Sequence, residues 1–259
     1  MFLGFDIGNT NTVMGIYREG VPSPVETYRF RTRRDLTRDE IGALATSFVH
    51  NFSEKNGVVD AVRGLAIASV VPEVNRRFNE MAGRYFSLSL YEINHLSRTP
   101  LSLAYDDPST LGVDRIVNAV AAHREYPGDK IIIDIGTAAT VCVLHADGRF
   151  DGGLIAPGIG VTVDALAAKT SQLAKVDFKK PDKLIATDTR DAITSGFFYG
   201  WLSMIEGLIA RIEAQYGKPF TPVLTGGYAA PLSPELTLKH EFDPLLTMKG
   251  IFYVYSMNR

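Results

Sequence analysis

An acidic, glycine-containing turn occurs twice in this sequence of 259 residues. The first copy, here called the first acidic turn, reads Asp6-Ile7-Gly8-Asn9-Thr10-Asn11-Thr12-Val13. The second acidic turn reads Asp134-Ile135-Gly136-Thr137-Ala138-Ala139-Thr140-Val141. Five of the eight positions are identical, and apolar residues precede both copies. Because self-similarity of this kind is typical of a duplicated structural unit, we expect two related halves.

The residue types in the first acidic turn suit a phosphate chain. Such a chain needs backbone N–H donors at close approach, hydroxyl or amide donors, and a carboxylate that can hold hydrated magnesium. Gly8 permits a tight turn, Asn9 and Thr10 supply donors without bulk, and Asp6 supplies the carboxylate. A plain polar hairpin turn is the alternative, since Asn and Gly favour turns anyway. The second copy favours nucleotide binding, with Asp134 as a cation ligand and Thr137 as a phosphate contact.

A candidate general base lies in the segment Gly112-Val113-Asp114-Arg115. Asp114 falls in the first turn of a predicted helix, where the helix dipole favours an ionised carboxylate that can accept a proton from a substrate hydroxyl. Arg115 could fix a substrate carboxylate or the transferring phosphoryl group. Upstream, Tyr105 stands in a turn that would bring a phenol near the same helix. The alternative is that Asp114 only complements the helix dipole beside a solvated arginine.

The elements that must position these residues follow from hydrophobic periodicity. Each acidic turn is predicted to join two strands of a hairpin. A capping box at residues 37–40 predicts the start of a helix. Further predictions are helices at 76–86, 113–121 and 191–216, and strands at 64–71, 130–135, 139–145 and 150–155. Two similar α/β lobes, residues 1–114 and 115–259, would then face each other across a nucleotide cleft.

Composition excludes several other functions. A formal net charge of -2 gives no general attraction for nucleic acid or anionic lipid. The arginine-rich stretch 29–38 could contact phosphate, although such a run is more often a solvated edge. The single cysteine, Cys142, reads as a core residue, and the histidines fit no metal-ligand spacing. With no signal-peptide pattern, no membrane span and no P-loop motif, we expect a cytoplasmic protein outside the P-loop class.

Taken together, these motifs resemble those of the type III pantothenate kinases along nearly the whole chain. The order and spacing of the segments match as well, which makes the set more specific than any single motif. The matching segments are DIGNTNTV (6–13), YDDPSTLGVDR (105–115), IDIGTAAT (133–140), GGLIAPG (152–158), TRDAITSG (189–196) and TGG (225–227). Small departures are Asp188, where the family often has Asn, and Val113, where Ala or Ile is usual; a negative charge at 188 would weaken carboxylate binding.

The resemblance implies an activity and a set of site residues. It implies two ribonuclease H-like, actin-like ATPase lobes that transfer the γ-phosphoryl group of ATP to the primary hydroxyl of pantothenate, at the entry to coenzyme A synthesis. Magnesium held by Asp6 through water, a monovalent cation (potassium or ammonium) on Asp134, and a homodimer are also implied. Asp114 would accept the proton. The ATP residues would be Asp6, Ile7, Gly8, Asn9, Thr10, Asn11, Thr12, Val13 and Thr137, and the pantothenate pocket would comprise Tyr105, Gly112, Val113, Asp114, Arg115 and Thr189.

Two other functions remain open from the sequence. The first is a non-catalytic accessory or regulatory member that keeps the nucleotide site; it predicts loss of the acidic groups, whereas Asp6, Asp114 and Asp134 are all present. The second is another small-molecule kinase of the same superfamily, acting on a sugar or on acetate. A panel of acceptor substrates separates these hypotheses.

Overall fold

The computed structural model describes residues 1–57, 61–169 and 176–259. Its strands are β1 (Phe2–Ile7), β2 (Asn11–Tyr17), β3 (Glu26–Arg31), β4 (Gly64–Ser69), β5 (Leu90–Glu92), β6 (Ser102–Leu103), β7 (Lys130–Ile135), β8 (Ala138–Leu144), β9 (Arg149–Pro157), β10 (Thr221–Thr225) and β11 (Glu241–Phe242). Its helices are α1 (Arg38–Asn56), α2 (Pro72–Met81), α3 (Val113–Glu125), α4 (Ile159–Lys169), α5 (Thr189–Tyr216), α6 (Ala229–Leu232) and α7 (Leu246–Asn258).

The chain forms two compact units. Unit 1 comprises residues 1–101, 105–124 and 245–259, and unit 2 comprises residues 102–104 and 125–244. The predicted lobe boundary, between residues 114 and 115, falls inside α3. In the structure, α3 belongs to unit 1 as far as residue 124. The physical reason is packing, since Val117 and Val120 of α3 share a core with Ile251 and Val254 of α7. The C-terminal helix α7 therefore belongs to unit 1, whereas the predicted second lobe, residues 115–259, includes it.

Unit 1 is built on a five-stranded sheet in the order β3-β2-β1-β4-β5. The pairs β1/β2 and β2/β3 are antiparallel, and β1/β4 and β4/β5 are parallel. One sheet face, which includes Phe5 and Ile67, packs with residues of α1 and α2. Phe2 and Ala68, on the opposite face, pack with residues of α3 and α7. The central strand β1 is thus buried on both faces, which makes it a rigid support for the first acidic turn.

Helix α1 begins where the capping box predicted it. The side chain of Thr37 accepts a hydrogen bond from the backbone N–H of Glu40 at 3.2 Å, and the Glu40 carboxylate accepts one from the backbone N–H of Thr37 at 2.8 Å. These two bonds satisfy donors that a helix start leaves open. The helix ends at Gly57, whose φ of 61° is the left-handed conformation that glycine adopts without strain.

Unit 2 repeats the topology of unit 1 and adds one edge strand, β6, parallel to β9. Its sheet has the order β11-β10-β7-β8-β9-β6, so the central strand β7 has an antiparallel meander on one side (β8, β9) and parallel strands on the other (β10, β11). Its core lies on the sheet face that includes Ile133 and Val141, against residues of α5. The predicted duplication is confirmed by this correspondence between strands, and so is the mixed α/β fold with two sheets.

The two hairpins differ in register by one residue. In unit 1, Asp6 is paired with Val13 and Ile7 with Thr12. In unit 2, Asp134 is paired with Thr140 rather than with Val141, the residue that corresponds to Val13 in the aligned repeats. Because side chains alternate between the faces of a strand, this one-residue difference reverses the face of every side chain on the second strand relative to its counterpart.

Within residues 1–57, 61–169 and 176–259, no helix combines the length and the apolar character needed to cross a bilayer.

Candidate active site

The first acidic turn connects two buried strands of unit 1. The backbone N–H of Gly8 donates to the carbonyl oxygen of Asn11 at 3.0 Å, which closes the turn. A Cβ at position 8 would lie 3.2 Å from that same oxygen, so glycine suits this close approach. The backbone N–H of Thr32 donates to the carbonyl oxygen of Thr10 at 3.0 Å and ties the turn to the end of β3. Asn9 and Thr10 are exposed at the tip, where they can meet a ligand.

The residues of this turn divide between the two faces of the sheet. Asp6 and Val13 are directly paired, so they share one face. Ile7 and Thr12 point to the opposite face and are buried there, and the Thr12 hydroxyl lies 2.9 Å from that of Thr32. Asp6, Val13 and the exposed tip can therefore meet a phosphate chain through side chains or backbone. The side chains of Ile7 and Thr12 instead support the turn.

The start of α3 assembles the second group of predicted residues, also in unit 1. Arg115 is 4% exposed, and its Nη1 donates to the Tyr105 hydroxyl at 3.4 Å. Its guanidinium carbon lies 5.7 Å from the centre of the Tyr105 ring, a cation–π arrangement. Tyr105 thus meets Arg115 through both its hydroxyl and its ring. The predicted association of Tyr105 with the helix start is confirmed by these contacts.

Asp114 is held in place by its immediate neighbours. Its Oδ1 accepts a hydrogen bond from the backbone N–H of Arg115 at 2.8 Å. A Cβ at Gly112 would overlap this same oxygen, so the absence of a side chain at 112 leaves room for the carboxylate. Burial raises the pKa of Asp114, and this effect outweighs the opposing Arg115 backbone hydrogen bond and Arg115 charge. A carboxylate with a raised pKa is a stronger proton acceptor than an ordinary aspartate.

The second acidic turn lies at the end of β7 in unit 2. The backbone N–H of Gly136 donates to the carbonyl oxygen of Ala138 at 3.0 Å. The exposed Thr137 accepts a backbone hydrogen bond at its carbonyl oxygen from Gly158, at 3.0 Å. This contact fixes the turn against the end of β9. Thr137 is therefore an exposed residue on a turn that is anchored through its backbone, which fits a phosphate contact.

Two glycines make room for this turn, and local sequence patterns indicate them only weakly. A Cβ at Gly158 would overlap the backbone carbonyl oxygens of Gly136 and Thr137. A Cβ at Gly226, which has a φ of 94°, would lie 2.5 Å from Oδ1 of Asp134. Gly-rich segments at 152–158 and 225–227 were visible in the sequence, but such segments usually only mark turns. The structure shows that both glycines permit close packing around the second acidic turn.

Thr189 is exposed at the first position of α5 in unit 2. The preceding residue, Asp188, is the N-cap of this helix, and its Oδ1 accepts a hydrogen bond from the backbone N–H of Asp191 at 3.0 Å. This hydrogen bond satisfies a backbone donor that the start of the helix leaves open. Asp188 therefore has a local structural role as a helix cap. The family's Asn could fill the same role, because both residue types cap helices well.

Among the residues that the structure describes, no three His, Cys, Asp or Glu side chains are grouped as they would be around a metal ion. With the described residues alone, a cation at either acidic turn would have at most two such side chains and would complete its coordination with backbone, water or ligand oxygens. This donor set suits magnesium, which is commonly bound through one or two carboxylates plus substrate phosphates. It also suits a weakly held monovalent cation.

Comparisons with known proteins agree with these motifs. A family model described as type III pantothenate kinase matches residues 2–211. The chain is 38% identical over 259 residues to a type III pantothenate kinase from Brevibacillus brevis, with 100% of both chains covered. It is 36% identical over 268 residues to one from Koribacter versatilis, with 100% of this chain and 96% of the relative covered.

Solved structures also share the architecture. One is a protein from Campylobacter jejuni described as a conserved Baf family transcriptional activator, with a TM-score of 0.61, 18% identity and coverage of 99% of this chain and 98% of that chain. Another is the inorganic polyphosphate/ATP-glucomannokinase from an Arthrobacter species, with a TM-score of 0.50, 14% identity and 98% of both chains covered. At these identities the likeness shows the fold alone.

The duplicated sheets, each with an acidic turn after its central strand, define a protein of the actin-like ATPase and sugar-kinase fold class. The family model and the full-length relatives then narrow the assignment. The chain belongs to the type III pantothenate kinase family.

Proposed function

We propose that this protein transfers the γ-phosphoryl group of ATP to the primary hydroxyl of pantothenate, giving 4'-phosphopantothenate and ADP at the entry to coenzyme A biosynthesis. The observation that carries the proposal is the full-length similarity to type III pantothenate kinases, with 38% identity to the Brevibacillus brevis relative. The arrangement of Asp114, Arg115 and Tyr105 gives it a chemical basis, because it combines a proton acceptor with donors for an anionic substrate.

In the proposed reaction, Asp114 is the general base. Its carboxylate takes the proton of the pantothenate hydroxyl while the hydroxyl oxygen forms a bond to the γ-phosphorus. The bond between that phosphorus and the β,γ-bridging oxygen breaks, and ADP leaves with the electron pair. Burial supports this role, since it raises the pKa of Asp114 and so increases its affinity for the proton.

The proposed pantothenate pocket surrounds this base. Arg115 is buried and positively charged, which suits the substrate carboxylate. Tyr105 orients Arg115 and offers a hydroxyl of its own. The remaining members of the proposed pocket are Gly112, Val113 and Thr189.

ATP is the proposed phosphoryl donor, with its phosphates at residues 6–13 and at Thr137. The exposed tip of the first acidic turn and the exposure of Thr137 support this assignment. A contact between Thr12 and the phosphates stays a prediction. The Thr12 hydroxyl already has a hydrogen-bond partner in the hydroxyl of Thr32. Asp6 would hold magnesium through water, and magnesium when bound neutralises charge on the phosphates.

We also propose a homodimer and, because ATP is the donor, a cytoplasmic location. A monovalent cation, potassium or ammonium, is assigned to Asp134. Gly226 supports this assignment, because a side chain at that position would overlap Oδ1 of Asp134.

Replacing Asp134 with asparagine is expected to abolish the preference for potassium. Wild-type ADP release should be about tenfold faster in potassium than in sodium buffer, the effect expected from one charge-assisted contact. The variant should show equal rates in the two buffers. Asp147→Asn, in the exposed turn between β8 and β9, is the matched control and should retain the preference. Equal wild-type rates in the two buffers would contradict the cation assignment.

The acceptor specificity is tested by a substrate panel. Purified protein with ATP and magnesium should release ADP with pantothenate and not with acetate, glycerol or glucose, measured in a coupled assay in potassium buffer. Mass spectrometry should detect the phosphorylated pantothenate. Turnover of glucose or acetate in place of pantothenate would instead indicate another kinase of the superfamily. ATP binding without turnover of any acceptor would indicate an accessory protein.

A further inference from the structure

Two pairs of arginines in the stretch at residues 29–38 differ in their surroundings. Arg33 and Arg38 each lie near an acidic neighbour, with 2.9 Å from Arg33 Nη2 to Asp35 Oδ2 and 3.7 Å from Arg38 Nε to Asp39 Oδ1. Arg29 and Arg31 instead lie on β3, where their side chains are exposed. Within the described parts of the chain, neither of these two guanidinium groups has an ion-pair partner.

Strand register places Arg29 and Arg31 on the same sheet face as Asp6. Asp6 is paired with Val13, and Val13 with Arg29, so the three residues form one row across β1, β2 and β3. Arg31 is paired with Asn11, in the row nearest the tip of the first acidic turn. Because neighbouring strands lie about 4.8 Å apart, the backbone of Arg29 is roughly 10 Å from that of Asp6. An extended arginine side chain can cover much of that distance.

The backbone also couples β3 to the turn. Thr32, the residue after Arg31, donates its N–H to the carbonyl oxygen of Thr10 at 3.0 Å, and its hydroxyl lies 2.9 Å from that of Thr12. These contacts join the end of β3 to both sides of the turn, so the two arginines are held in a fixed relation to its tip. Pre-organised donors of this kind lose less entropy when they bind a ligand.

We infer that Arg29 and Arg31 contact the polyphosphate chain of the nucleotide bound at the first acidic turn. This inference rests on the proposed function and adds two cationic residues to its nucleotide site. The first acidic turn carries one carboxylate, Asp6, and no basic side chain of its own. A polyphosphate held there needs positive charge besides magnesium, and the planar guanidinium group matches phosphate geometry through paired donors.

The test compares Arg29→Gln and Arg31→Gln with Arg18→Gln. Arg18 is exposed, follows the far end of β2 and, among the described residues, also has no ion-pair partner. It therefore controls for the loss of one positive charge from unit 1. Isothermal titration should show that each β3 variant weakens ATP binding about tenfold, the effect expected from one charge-assisted contact. Arg18→Gln should bind ATP like the wild type.

Kinetics provide a second measurement. The KM for ATP should rise about tenfold in the β3 variants, while the KM for pantothenate stays unchanged. The lysine variants Arg29→Lys and Arg31→Lys should recover part of the loss, because they keep the charge without the paired donors. Thermal unfolding midpoints equal to that of the wild type would show that the variants remain folded.

The outcomes separate this inference from the proposed function. If the wild type binds ATP and both glutamine variants bind it equally well, the role of Arg29 and Arg31 is overturned and the kinase assignment is untouched. If Arg18→Gln weakens binding as much as they do, general electrostatics explains the effect and the specific contact is also overturned. If the wild type does not bind ATP, the proposed function itself fails.

Discussion

Replacing Asp114 with asparagine is expected to lower kcat by a hundredfold or more, on the order of the contribution of a positioned general base. The amide is nearly isosteric with the carboxylate but cannot accept the hydroxyl proton. ATP affinity should be unchanged, because Asp114 is not one of the proposed nucleotide residues, which in unit 1 lie at the first acidic turn. Steady-state kinetics with pantothenate and isothermal titration with ATP measure the two effects separately.

The same variant should not be less stable than the wild type. Burial raises the pKa of Asp114 in the folded protein, so folding favours its protonated form. Its stabilising contribution is therefore present below the unfolded-state pKa, about 3.9, and is lost as the pH rises through the raised folded-state value. At pH 7 the ionised carboxylate costs stability, and a neutral amide removes that cost. The unfolding midpoint of Asp114→Asn at pH 7 should equal or exceed that of the wild type.

A pH profile provides a further check on Asp114. The base must be ionised to act, so kcat/KM should fall as the pH is lowered through its pKa, at a higher pH than for an ordinary aspartate. This limb should be absent from the residual activity of Asp114→Asn. Asp106→Asn, an exposed aspartate in the preceding turn, is the matched control and should behave like the wild type. Near-normal turnover in Asp114→Asn would remove the base assignment.

Replacing Gly158 with alanine is expected to lower kcat/KM for ATP by about a hundredfold, since displacing a binding group by about 1 Å can have an effect of this size. The new Cβ would overlap the carbonyl oxygens of Gly136 and Thr137, which are backbone atoms of the second acidic turn. Either the turn or the end of β9 must move, so Thr137 leaves its position. Overpacking should also destabilise the protein by roughly 1–3 kcal/mol, measured by denaturant unfolding.

Gly200→Ala provides the control for this substitution. Gly200 is exposed in the middle of α5, and a Cβ there would meet no heavy atom within 4 Å. The same glycine-to-alanine change should therefore leave kcat/KM unaltered and stabilise the helix by about 0.5–1 kcal/mol. If Gly158→Ala had the kinetics and stability of Gly200→Ala, the tight fit around the second acidic turn would be disproved.

Much of the fold could be predicted from local patterns. The capping box located the start of α1, and apolar periodicity found the long helix α5 two residues from its observed start. Helix α2 was placed less well, because it begins at Pro72 rather than near residue 76. Proline is favoured in the first turn of a helix, so Pro72 marks the start of α2.

Part of the geometry around the candidate site could be predicted from the sequence, and part could not. Tyr105 and Arg115 are ten positions apart, and their contact follows from a short turn that sequence patterns can suggest. In the aligned repeats, Thr12 and Thr140 occupy the same position. In the structure, Thr12 and Asp6 lie on opposite faces of their sheet, because Thr12 is paired with Ile7. Thr140 is paired with Asp134 and so shares its face. A one-residue difference in turn length causes this reversal, and it has no local sequence signal.

The sequence by itself determined the duplication, the identity of the acidic turns and the family, because these depend on residue types at fixed spacing along one chain. Only the tertiary structure decided the face on which Thr12, Arg29 and Arg31 lie, and the membership of α7 in unit 1. These features depend on strand pairing and on packing between segments distant in sequence, as between Val117 and Ile251. Their energies come from contacts that no local window of the sequence contains.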